Sequence, residues 1–69
     1  MVEVFKTTVE QPEQAKQLAS ILRDQFNKYR INFDLHDCDN ILRVEAAEIC
    51  VEQIIKLLSI HGHDCEVLI

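Results

Sequence analysis

Two triplets in this 69-residue chain repeat the same three side chains, His36-Asp37-Cys38 and His63-Asp64-Cys65. Imidazole nitrogen and thiolate sulfur are donors that soft and borderline ions accept, so the repeat raises the question of a site for Cu(I) or Zn(II). A third histidine, His61, stands just ahead of the second triplet, across Gly62. His61, His63 and Cys65, with Asp64 among them, place two or three donors in one short segment and make the better metal candidate. The same residues also have a structural reading. His61 favours a helix C-terminus through the helix dipole, His63 is a solvated loop residue, and Cys65 is a small core residue. Cys50 stands apart from the others. At a helix start its thiol is favoured as the thiolate and would be the most reactive of the three, whereas without a placed base it reads as a buried hydrophobe. Cys38 lies between Asp37 and Asp39, whose charges oppose thiolate formation, and it reads as exposed and unreactive.

No other chemistry assembles. One glycine cannot make a phosphate cradle, no serine stands in a nucleophile elbow, and the carboxylates are spread over polar positions. The chain therefore reads as non-enzymatic.

The elements that position these residues follow from periodicity. Val2 to Val9 is rich in β-branched and aromatic residues and reads as a strand, in one of two registers: Phe5, Thr7 and Val9 inward, or Val2 and Val4 inward. Pro12 suits the first position of a helix and Glu13 its first turn. That helix is expected to run to about Asn27, with Ala15, Leu18, Ala19, Leu22 and Phe26 forming one apolar stripe. Ile31, Phe33 and Leu35 then alternate with Asn32, Asp34 and His36, which predicts a strand with one wet face. Asp37 to Asn40 supplies a turn, and Ile41 to Ala46 a second strand paired with it as a hairpin. A second helix starts near Cys50 or Val51, carries Ile54, Ile55 and Leu58, and stops at His61-Gly62. Cys65 to Ile69 closes as a short strand.

Composition bounds what these elements can do. Residues 1-69 make a single domain, and one this small hides only about 60% of the surface its unfolded chain exposes, which leaves no room for a deep catalytic cavity. Twelve acidic against seven basic side chains leave a net charge of -5 and no basic stripe, which excludes nucleic acid as a partner. No apolar run approaches the ~20 residues of a membrane span, and the N-terminus lacks the pattern of a signal peptide, so no membrane partner is expected. Three cysteines without a disulfide framework fit a reducing, cytoplasmic setting.

Strand, helix, strand, strand, helix, strand in one small unit is the ferredoxin-like arrangement, an α+β βαββαβ sandwich with an antiparallel sheet in the order 4-1-3-2 and both helices on one face. The two triplets then fall on opposite edge strands, three strand spacings or roughly 14 Å apart, too far for one ion or an intrachain Cys38–Cys65 disulfide. If Phe5 points inward, Val2, Val4 and Leu68 lie on the open face among Asn32, Asp34, Arg43 and Glu45, a mixed patch that could pair with another sheet and make a homodimer. The bland alternative is three scattered apolar side chains without a role.

The first strand, the helix start and the positions of Ala15, Leu18 and Leu22 after Gln14 resemble the heavy-metal-associated domain of copper chaperones and metal-transporting ATPases, over essentially the whole chain. In that family the first loop carries Cys-x-x-Cys, with an apolar residue two positions earlier that corresponds to Val9. Here the two cysteines fall on Gln11 and Gln14. The resemblance implies metal handling, yet carboxamides are poor ligands for Cu(I). Other versions of the fold fit less well. The acylphosphatase version holds phosphate with a first-loop arginine that is missing here, and the RNA-binding version needs aromatic residues where the third strand has Ile41-Leu42-Arg43-Val44. Three functional readings follow: a protein-interaction or self-association module on this scaffold, metal binding or delivery near His61 to Cys65, and a small-ligand regulatory module of the ACT type, which shares the topology.

Overall fold

The computed structural model describes residues 1–36 and 38–68. Its elements are β1 (Val2–Thr7), α1 (Pro12–Gln25), β2 (Arg30–Asp34), β3 (Ile41–Glu45), α2 (Val51–Ile60) and β4 (Cys65–Val67). The four strands form one antiparallel sheet in the order β2-β3-β1-β4, the expected order read from the other edge, and the fold is ferredoxin-like.

The register of β1 decides which residues face the helices. Phe5 pairs with Leu42 on one side and Val67 on the other, and Glu3 pairs with Val44. Phe5, Leu42 and Val44 are fully enclosed with Leu22, Ile54 and Leu58 from the two helices. The inward set of β1 is therefore Phe5 and Thr7, with Val9 following in the loop, and Val2 and Val4 occupy the opposite face. Burying one Phe and several Leu, Ile and Val side chains, each worth about 1.5–3 kcal/mol, is what offsets chain entropy in so short a domain.

The α1 stripe of Ala15, Leu18, Ala19 and Leu22 is buried as its spacing requires. The helix stops at Gln25, two residues before Asn27, because Phe26 leaves helical geometry as the C-cap. Phe26 is only half-buried, and its ring stacks on Tyr29 at 4.8 Å between centroids and 12° between planes. β1 ends at Thr7 rather than Val9. The Thr7 N–H still reaches across to the Asp39 carbonyl, but the Val9 N–H is taken by the Thr7 hydroxyl, which turns the chain out of the ladder. β2 begins one residue earlier than expected, at Arg30, and leaves half-buried Leu35 beyond its end. β4 is three residues long, although the Leu68 N–H still donates to the Val4 carbonyl at 2.8 Å. Asp37 of the first triplet and Ile69 of the expected last strand lie outside the described residues. Among the described residues no helix is long and apolar enough to cross a membrane.

Candidate functional site

At the end of the sheet where β1 leaves for α1, two adjacent threonines tie three connections together. The Thr7 hydroxyl donates to the Asn40 carbonyl at 2.6 Å and accepts the Val9 N–H at 3.2 Å. Asn40 sits at φ 51°, a left-handed conformation that asparagine tolerates better than most residues. Thr8 exchanges bonds with Asp64, donating its N–H to the Asp64 carbonyl at 3.1 Å and accepting the Asp64 N–H on its hydroxyl at 2.9 Å. The first loop, the β2–β3 turn and the α2–β4 loop are thereby held as one rim. Lys6 adds a loose ion pair to Asp39 at 3.9 Å.

On this rim Gln11 is the N-cap of α1 in extended geometry, and its side chain makes no capping bond. Gln14 lies in the first turn, exposed. It shares a recess of about 170 Å³ with Gln17, Leu18, Ile21, His61 and His63, so the first turn of α1 borders the two loop histidines. This meeting was not foreseen from sequence, because it depends on how the α2–β4 loop folds over α1.

Backbone bonding explains where the histidines stand. His61 is the C-cap of α2, its N–H donating to the Leu57 and Leu58 carbonyls, and the His63 N–H returns to Leu58 at 2.9 Å. Between them Gly62 takes φ 84°, where a side chain would be strained. His61 is exposed and His63 half-buried.

Cys65 is opposite Thr7 in the β1–β4 ladder and only 8% exposed. Burial, and then the neighbouring Glu66 carboxylate, push its thiol up to about 12. At neutral pH it is a protonated core side chain. It borders a different recess, of about 490 Å³, with Thr7, Thr8, Ile55, Ser59 and His63. His63 is thus common to both recesses, whereas His61 and Cys65 are not brought to one point. Among the described residues no three His, Cys, Asp or Glu side chains gather so as to hold a metal ion. His36 and Cys38 are exposed beyond the edge strand β2, and Cys65 is buried in the opposite edge strand β4.

Cys50 stands at the start of α2, as expected, but is exposed rather than packed as a core hydrophobe. It is the N-cap of α2 and its thiol makes no capping bond. Its N–H instead donates to the Tyr29 hydroxyl at 2.8 Å, a latch that sequence reasoning missed. The only available signal was a tyrosine, with its polar tip, at the break after a helix.

On the open face Val2 is 53% and Leu68 42% exposed, with half-buried Val4 between them. Glu45 is opposite Val2 and Arg43 opposite Val4, which gives the apolar strip a charged border. Ile41 is placed on this face by its pairing with Lys6 and Asp34, yet it is 7% exposed and stands outside the helix-side core.

The sequence matches no protein-family model and no curated protein. Solved structures are similar in fold, two of them copper- or metal-handling proteins by name. One is the yeast copper transporter domain Ccc2a, determined in apo and Cu(I)-loaded states, at 16% identity and a TM-score of 0.81 over 99% of this chain and 94% of that one. The other is the CsoZ metallochaperone, at 15% identity and a TM-score of 0.71 over 100% of this chain and 97% of that one.

Proposed function

We propose that this chain is a non-enzymatic, cytoplasmic domain of heavy-metal-associated architecture that acts through protein contacts or self-association rather than through a first-loop thiolate pair. The observation that carries the reading is the placement of its thiols. None stands in the first loop, where the resemblance sets Gln11 and Gln14 at the motif positions; of the two thiols on the neighbouring connections, Cys38 is exposed in the β2–β3 turn and Cys65 is held protonated inside the sheet. A soft ion needs two accessible thiolates there, and the loop offers two carboxamides. Val2, Val4 and Leu68 then supply an exposed apolar strip with a charged border on the face that no helix covers.

A second reading has its own support. Gln14, His61 and His63 line one recess, and one of the similar folds belongs to a domain determined with Cu(I). On this reading His61 and His63 bind a borderline ion such as Zn(II), and Cys65 joins only if the strand opens.

Native mass spectrometry of the reduced protein, titrated with Cu(I) and Zn(II), separates the two. The first reading expects no ion retained at micromolar concentration. One ion per chain or per dimer, lost in a variant carrying His61→Ala, His63→Ala and Cys65→Ser, would replace it with the second. Charging the strip with Val4→Glu tests the contact surface, and the expected result is loss of any association made through the sheet face.

A further inference from the structure

We infer that β2 is a self-pairing edge, at which two copies of this chain join their sheets in one antiparallel register. The inference rests on the proposal that the domain works through self-association, and it names a surface other than the open face.

The geometry of the ladder identifies which groups the edge presents. The Ala46 N–H donates to the Met1 carbonyl, and Met1 and Ala46 continue the register of Glu3 with Val44 and Phe5 with Leu42. Even-numbered β3 residues therefore bond toward β1 and odd-numbered ones toward β2. Arg30, Asn32 and Asp34, opposite Glu45, Arg43 and Ile41, must bond inward, and Ile31 and Phe33 must turn their N–H and C=O groups out of the sheet. An independent contact agrees. The Ile31 carbonyl is reached from outside by Arg23 Nη2 at 3.0 Å. A carbonyl has two acceptor sites, so this cap leaves room for a strand bond.

The side chains select the partner. In an antiparallel pair of two β2 strands with Asn32 on the two-fold axis, Ile31 of each copy meets the partner's Phe33, which is a pair able to exchange backbone bonds. The same register sets Arg30 against the partner's Asp34 twice, on the open face. Shifting the strands by two residues in one direction sets Arg30 against the partner's His36, and in the other sets Asp34 against the partner's Lys28, which lies in the turn before β2 and outside the ladder. One sequence thus supplies both halves of a complementary surface, as an isologous contact requires. Phe33 is half-buried at the rim of a groove of about 660 Å³ between α1 and β2, where Ala15, Ala19 and Leu35 give an apolar floor. Lys16 and Arg23 line the helix side of that groove, with Glu10 and Asp34 as its acidic members.

Sedimentation equilibrium up to about 1 mM protein tests this on the full chain. The expected result is a reversible dimer weakened roughly tenfold by Arg30→Asp or by Asp34→Arg and restored by the two together, since each single change sets like charges opposite each other twice. Arg30 and Asp34 are exposed, and circular dichroism of each variant checks that the fold is kept. A monomer at all concentrations overturns both the edge and self-association. A dimer indifferent to the charge swaps but lost in Val4→Glu overturns the edge alone and leaves the sheet face as the contact.

Discussion

Val4 and Phe5 are neighbours on one strand and live in different solvents. Phe5 is fully enclosed between two helices and two strands, whereas Val4 lies in a partly exposed strip beside Val2 and Leu68. The helix-covered face holds the domain together and has little freedom left for function. The open face and the outer edge of β2 keep Val2, Leu68, Arg30, Asn32 and Asp34 exposed, so these residues are free to be selected for contacts. The loop rim lies between these extremes: its threonines are structural, and its histidines and glutamines face a shallow recess.

The sharpest way to break this contrast is to truncate both neighbours. Phe5→Ala is expected to cost about 3–5 kcal/mol, close to the whole stability of a domain this size, and Val4→Ala less than about 1 kcal/mol. Urea denaturation measures both, and equal costs would mean that the two faces are energetically alike. A smaller effect is expected at the rim. Thr7→Val leaves the Asn40 carbonyl and the Val9 N–H without their partner and should destabilise by about 1–3 kcal/mol, seen as faster amide exchange at Val9.

Cys65 adds a pH signature to the covered face. Its thiol keeps its proton to about 12 in the folded chain, against an ordinary value near 9.0. Between those values the unfolded chain binds fewer protons than the folded one, so stability falls as pH rises, and below the lower value the contribution is complete. Thermal melts across this window should show wild type losing more stability than Cys65→Ala, and parallel curves would place the thiol in water. The smallest effect is expected at Gln11. As an N-cap without a capping bond it leaves orphan N–H groups to solvent, and Gln11→Asp should raise stability by about 0.5–1 kcal/mol in the same melts.

The fold was legible because its signals are local. Pro12 marks the start of α1, alternation marks β2, and the order of elements leaves one sheet topology. Which face of β1 is buried was not, since Val2, Val4, Phe5 and Val9 are all apolar and only the pairing of Phe5 with Leu42 decides between them. At the rim, the separation of the two triplets was readable from strand order, but the approach of Gln14 to the histidines was not. It depends on residues some fifty positions apart in sequence and on a loop whose path is set by Gly62 and by the Thr8–Asp64 bonds. Arg23 on the Ile31 carbonyl and Tyr29 on Cys50 escaped for the same reason, as long side chains reaching backbone groups that periodicity does not label.

Tyr29 is the only tyrosine, and the chain has no tryptophan. Its ring stacks on Phe26 and its hydroxyl holds the start of α2, so the tyrosine emission of the whole protein originates at this one latch. Release of α2 therefore changes tyrosine emission, which does not sense an ion or peptide settling on the distant rim. The molecule carries a built-in optical gauge of its own unfolding that is blind to events at the loops.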